Sequence, residues 1–259
     1  MTTLISSSFF SLSSLAYYGP GYGYGYGMGG SAFYWLILIG TMILSGIAAA
    51  RVRSAYTHYS QVAASSGLTG AQLAQRILES SGIQDVTITA MQGELTDHYD
   101  PSQKRLVLSE ANYHGTSVAA LGVSAHECGH AIQHQHAYAP LQWRMAAVGI
   151  TNIVANPLVL MGVMLGAGIG WILPKTAILV LSVAYGAMML FQLITLPVEF
   201  DATARAKRIV PQLGALAQGE EMRGMSKVLD AAAWTYVAAF IGVLATFLYY
   251  VTLLMGRRD

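Results

Sequence analysis

His126-Glu127-Cys128-Gly129-His130 sets two imidazoles four residues apart with a carboxylate between them. On a helix, residues four apart share a face, so both rings converge on one point. Two histidines at this spacing grip a divalent metal, and zinc is the expected ion. Glu127 lies one step round the helix, where it can take a proton from water as general base. Three fixed positions within five residues make a demanding pattern in a chain with only 7 His. The geometry requires a helix, and the stretch from Ser117 to about Gln135, rich in Ala and Val at its start, reads as one. Cys128 inside the motif has no second base to activate it, so it reads as a small buried residue. As the only cysteine, it also leaves no disulfide within the chain.

Zinc needs a third protein ligand and leaves a fourth position to water. Three residues are candidates. His134 sits two turns beyond His126, but one straight helix cannot easily wrap three residues around a tetrahedral ion. His136 has the spacing of the third ligand in metzincins, but that pattern needs a glycine at position 133 to turn the chain back, and Gln133 stands there. Glu199 follows two apolar stretches that return the chain to the same membrane face, so its distance in sequence is no obstacle. After Pro197, at the end of an apolar helix, Glu199 also fits a plain interfacial boundary.

The elements that position these residues belong to an unusual chain. Of 259 residues, 54% are hydrophobic and only 10% charged. Soluble domains carry about 25% charged residues, so a water-facing globule is a poor fit. With 14 Lys+Arg against 13 Asp+Glu, a nucleic-acid binder is a poor fit too. A mean hydropathy of +0.47 agrees with an integral membrane protein. About 20 mostly apolar residues span a bilayer as a helix, and four windows qualify. Residues 33–50 form the first. Residues 146–198 form a helical hairpin of two spans, broken or kinked at Pro157 and turned at Pro174-Lys175, and 231–255 the fourth. Residues 1–32, Ser-rich and then Gly/Tyr-rich, lack the features of an ordinary signal peptide and read as a flexible tail.

Residues 51–144 are the one sizeable polar block, and they read as α+β. Thr69 to Gln72 forms a capping box before an amphipathic helix bearing Leu73, Ala74, Ile77 and Leu78, closed by Gly82. Val86–Ala90 has strand composition. Glu94–His98 is predicted to pair with Arg105–Ser109 across a turn at Asp100–Gln103. Residues 199–230 read as a second loop on the same side of the membrane. Near the membrane ends, that side holds Arg51, Arg53, Arg144, Arg205, Lys207, Arg208, Arg223 and Lys227, against Lys175, Arg257 and Arg258 on the other. The positive-inside rule therefore places both polar segments in the cytoplasm, in a multi-pass protein of the plasma membrane.

The strings SGLTGAQLAQRIL (66–78), GELTDHYDPSQKRLVLSE (93–110), SVAALGVSAHECGHAIQH (117–134), FQLITLPVEFDATARA (191–206) and VLDAAAWTYVAA (228–239) closely resemble the YugP-like membrane zinc metallopeptidases. The resemblance runs from about Tyr34 to the fourth span. It implies a mainly α integral membrane fold, with four transmembrane helices and a small gluzincin-like α+β domain. It also implies a zinc-dependent endopeptidase acting on protein or peptide substrates, similar in plan to the HtpX-like proteases. In those relatives the third ligand is a Glu in an E-F/Y-x-A-D string, which matches Glu199 here. The final Asp of that string is Thr203, so its role is left without a carboxylate.

Other positions remain open. Asp201 could orient a zinc-binding histidine, but the plainer reading is a helix-surface pair with Arg205 four residues on. The donor to the transition-state oxyanion is open among His98, His114, His134, His136 and Tyr236. His98 stands out because polar residues crowd around it without a packing reason. Two rival functions remain: a metal transporter or sensor using the histidines at 126, 130, 134 and 136, and a catalytically silent scaffold that keeps its zinc. The absence of charge within the four windows argues against ion passage, and the intact Glu127 against a silent scaffold.

Overall fold

The structure, a computed structural model, describes residues 28–94 and 96–256. The N-terminal segment up to residue 27, Leu95, Arg257 and Arg258 lie outside the described residues, so most of the expected tail and the last basic pair do too. Eleven elements follow in order: α1 (Met28–Tyr59), α2 (Gly70–Ser80), β1 (Thr87–Met91), β2 (His98–Asp100), β3 (Arg105–Ser109), α3 (Glu110–His114), α4 (Val118–Gln135), α5 (Ala139–Val154), α6 (Pro157–Gly168), α7 (Pro174–Gln212) and α8 (Glu220–Met255). The chain divides into two compact units.

The first unit comprises, among the described residues, Ile47–Trp143 and Ile194–Tyr236. Its core gathers Leu73, Ile77 and Leu78 of α2, Leu106 and Leu108 of β3, Leu121 and Ala125 of α4, Ala206 and Val210 of α7, and Met225 and Leu229 of α8. The Thr69 hydroxyl accepts from Gln72 N–H while the Gln72 side chain accepts from Thr69 N–H, so the capping box is formed and fixes the start of α2. Ser117 caps α4 by accepting from Ala120 N–H.

The sheet has the order β1-β3-β2, with β1 parallel and β2 antiparallel to β3. The hairpin differs from the expected pairing of 94–98 with 105–109. Its first strand is His98–Asp100, registered on Val107, Leu106 and Arg105. Asp97 explains the delay. Its buried carboxylate accepts from Ser109 N–H and Oγ and from Asn112 Nδ2, so a side chain takes the place of a strand partner.

Residues 199–230 are not a loop. α7 runs through Pro197 and Pro211 to Gln212, and α8 has begun by Glu220. Val198, Ala202, Ala206 and Val210 are all fully buried and fall four apart, so one apolar face holds the helix together beyond the proline. Pro197 costs the helix a hydrogen bond without ending it.

The second unit comprises residues 28–46, Arg144–Leu193 and Val237–256 of the described chain. Asn156 accepts from Leu158 N–H and Pro157 opens α6, so the apolar stretch of residues 146–173 is divided between α5 and α6. α7 starts at Pro174 itself, so the turn expected at Pro174-Lys175 lies upstream of it. α1 starts at Met28, about one turn inside the segment read as tail, as helix propagates backward from the apolar run. Four helical stretches are long and apolar enough to cross a membrane: Ala32–Tyr59, Ala139–Gly168, Pro174–Gln212 and Glu220–Met255. Leu36, Leu158 and Val183 project from them exposed, as lipid-facing side chains do.

Candidate metal centre

α4 and α7 build the site within the first unit. His126 and His130 occupy one face of α4, their rings 4.9 Å apart and nearly perpendicular. α7 crosses at Gly129. A Cβ there would lie 2.7 Å from the Ala202 carbonyl oxygen and 3.0 Å from its Cα, so only glycine admits this approach. The close crossing carries Glu199, one turn before Ala202, to the histidines. Its Oε2 lies 3.3 Å from His126 Nε2 and 3.6 Å from His130 Nε2.

This donor set fits zinc. Ligands held at about 2.0–2.1 Å around a tetrahedral ion lie roughly 3.3 Å from one another, close to the two separations seen. The three ligand atoms all lie within 4.8 Å of one another, and among the described residues they form the one such group. Glu199 is only 1% exposed, and a carboxylate buried so deeply calls for positive charge beside it.

Other side chains meet both histidines. His130 Nδ1 lies 3.0 Å from Gln133 Oε1, and Gln133 Nε2 reaches Val198 O at 2.7 Å and Asp201 Oδ2 at 2.8 Å. Asp201 also accepts from Arg205 Nε at 2.6 Å. It thus makes the helix-surface pair and, through Gln133, meets a histidine as well. Thr203 Oγ1 lies 3.2 Å from His126 Nδ1, so a hydroxyl stands where the family string has its carboxylate.

Glu127 is half-buried, and its carboxylate faces the Tyr99 N–H of β2. Burial, opposed by His126 and reinforced by Asp97 and Glu199, pushes its carboxyl up to about 7. A group at that value takes and returns protons readily near neutral pH. Burial also pushes the Cys128 thiol up, so it is an inert core residue.

None of the remaining candidates is a member of the three-residue metal group. His134 Nδ1 pairs with the Tyr99 hydroxyl at 2.9 Å, and His136 forms the C-cap of α4 near Arg205. His98 Nδ1 meets the Thr96 carbonyl at 2.7 Å. His114 ends α3 against Tyr113, and Tyr236 is a half-buried residue of α8. The sequence reading missed Gln133 as a contact of the site and Asp97 as an anchor of the sheet. The crowded Thr96–Asp100 string was the only local signal for Asp97.

A family described as "Putative neutral zinc metallopeptidase" matches residues 34–255. The chain is also 43% identical over 230 residues to a protein of Bacillus subtilis (strain 168) named "Putative membrane protease YugP", covering 86% of this chain and 97% of that one. No solved structure matches the chain. With a match across most of its length and a relative aligned nearly from end to end, the chain belongs to this neutral zinc metallopeptidase family.

Proposed function

We propose that the chain is a membrane-embedded zinc endopeptidase that hydrolyses peptide bonds in membrane or misfolded proteins at the cytoplasmic face of the plasma membrane. The carrying observation is the convergence of His126, His130 and Glu199 beside Glu127. This is the ligand set and base of a gluzincin. Zinc, when bound, polarises the scissile carbonyl and makes water more acidic. His126, His130 and Glu199 would hold the ion. Glu127 takes the water's proton and returns it to the leaving amine.

β2 is an edge strand of the sheet, and its Tyr99 N–H reaches Glu127. An extended substrate laid along that edge would run past the base, held by backbone hydrogen bonds with little sequence selectivity. The Lys and Arg distribution supports the cytoplasmic orientation.

The test is cleavage of unfolded casein by detergent-solubilised protein. Chelator should abolish it and zinc restore it. Glu127→Gln should retain zinc and lose activity by about 10²–10⁴-fold. Chelator-resistant cleavage, or an active Glu127→Gln variant, would overturn the proposal.

A further inference from the structure

We infer that Gln133 is the positioning residue of this centre: it fixes the tautomer of His130 and couples that ring to Asp201 and Arg205. The inference rests on the zinc reading and extends it to the residue that aims one ligand.

Donor and acceptor bookkeeping carries the argument. One end of the Gln133 amide faces Val198 O at 2.7 Å and Asp201 Oδ2 at 2.8 Å. A carbonyl and a carboxylate only accept, so that end must be the NH₂ group, with both protons in use. The other end is therefore the oxygen, which can only accept. It lies 3.0 Å from His130 Nδ1, so that nitrogen carries the proton and donates. Nε2 is then the lone-pair nitrogen, and Nε2 is the atom facing Glu199. A ligating histidine needs this arrangement, with the second ring nitrogen donating to an outer acceptor.

Burial makes the assignment rigid. Gln133 is 0% exposed, so water does not compete for its amide. Its bond to Val198 O also pins the residue just before Glu199, so one side chain orients a ligand on each helix. His126 differs. Its Nδ1 faces the Thr203 hydroxyl, which can donate or accept and so fixes no tautomer.

The experiment measures zinc dissociation constants of the full-length, solubilised chain by competition with a chromophoric chelator. Gln133→Leu should bind zinc about 10–100-fold more weakly. Gln133→Glu should also be weak, because its carboxylate would face Asp201. Gln133→Glu combined with Asp201→Asn should bind zinc at least about threefold more tightly than Gln133→Glu alone. The new carboxylate at position 133 keeps an acceptor for His130 and the new amide at position 201 can donate to it, while the bond to Val198 O stays missing. A residue that merely clamped Val198 would not be rescued, because that bond is missing from both the single and the double variant. Unaltered affinity in Gln133→Leu, or a double variant as weak as Gln133→Glu, overturns the inference.

Nitrogen NMR of His130 in metal-free protein reads the tautomer directly. Nδ1–H is expected in the unaltered chain, and a mixture in Gln133→Leu. A predominantly Nε2–H ring in the unaltered chain also overturns the inference. Failure of the unaltered chain to bind zinc would instead count against the metallopeptidase reading, leaving the tautomer measurement to decide the role of Gln133.

Discussion

Gly129→Ala tests whether the site depends on the closeness of two helices. The added Cβ would lie 2.7 Å from the Ala202 oxygen, 3.0 Å from its Cα and 3.1 Å from its carbonyl carbon. Carbon atoms rest about 3.5–4.0 Å apart, so the helices must separate by roughly 0.5 Å or more. Glu199 rides on α7 one turn away, and metal sites tolerate ligand displacements of only about 0.2 Å. Zinc affinity should therefore fall at least about tenfold, removing about 1.4 kcal/mol of zinc-linked stability. Without zinc the change in stability is smaller, because overpacking costs about 1–3 kcal/mol while alanine favours helix over glycine by about 1 kcal/mol.

Thermal unfolding of the solubilised protein with and without zinc, together with metal content per chain, separates these effects. The clash is with backbone atoms, so adding Ala202→Gly should not rescue the variant. Gly149→Ala, with nothing within 4 Å of its added Cβ, is the control. Normal zinc affinity in Gly129→Ala would show that the crossing does not set the position of Glu199.

Three further outcomes are expected. Glu199→Ala should lose zinc and activity together while His136→Ala and His134→Ala keep stoichiometric metal by mass spectrometry; the reverse result would restore the metzincin-like spacing. A reporter fused after Asp259 should lie outside the cytoplasm, and a cytosolic signal would overturn the orientation read from charge. Asp100, held below the usual carboxylate range by the Ser102 hydroxyl and by the Ser102 and Gln103 N–H groups, stabilises the turn after β2. Because its folded value lies below its unfolded one, that contribution is present above about pH 4 and is lost as pH falls through the folded value. Asp100→Ala should thus lower stability by less than about 1 kcal/mol at pH 7, discounted for solvent, with the difference shrinking in melts near pH 3.

What could be read from the chain depended on the range of the interaction involved. The α4 grip was legible because helical periodicity is local: two histidines four apart meet whatever surrounds them. The α2 cap was legible for the same reason. The third ligand was not. Helix geometry counted against His134 and Gln133 against His136, but the positive case for Glu199 came from the family string. Its approach depends on Gly129, whose role appears only once Ala202 is known to press against it. The hairpin register was misread because Asp97 bonds Ser109 and Asn112, a side-chain substitution that strand composition cannot announce.

Position 133 shows how a residue can be read correctly for what it prevents and still be missed for what it does. Its side chain argued against a turn back to His136, and α4 indeed continues helically to Gln135. Nothing local indicated that the same amide would reach Val198 and Asp201 across the helix crossing. Pro197 misled in the opposite direction, by suggesting that the helix ended before Glu199. Had it ended there, Glu199 and Asp201 would sit on a loop, free to move relative to α4. Because the apolar face at Val198, Ala202 and Ala206 carries α7 onward, the ligand and the carboxylate behind Gln133 share one rigid helix, with Thr203 on its next turn. The precision of the centre therefore comes from two helices held at glycine distance, with a buried amide bonded to both.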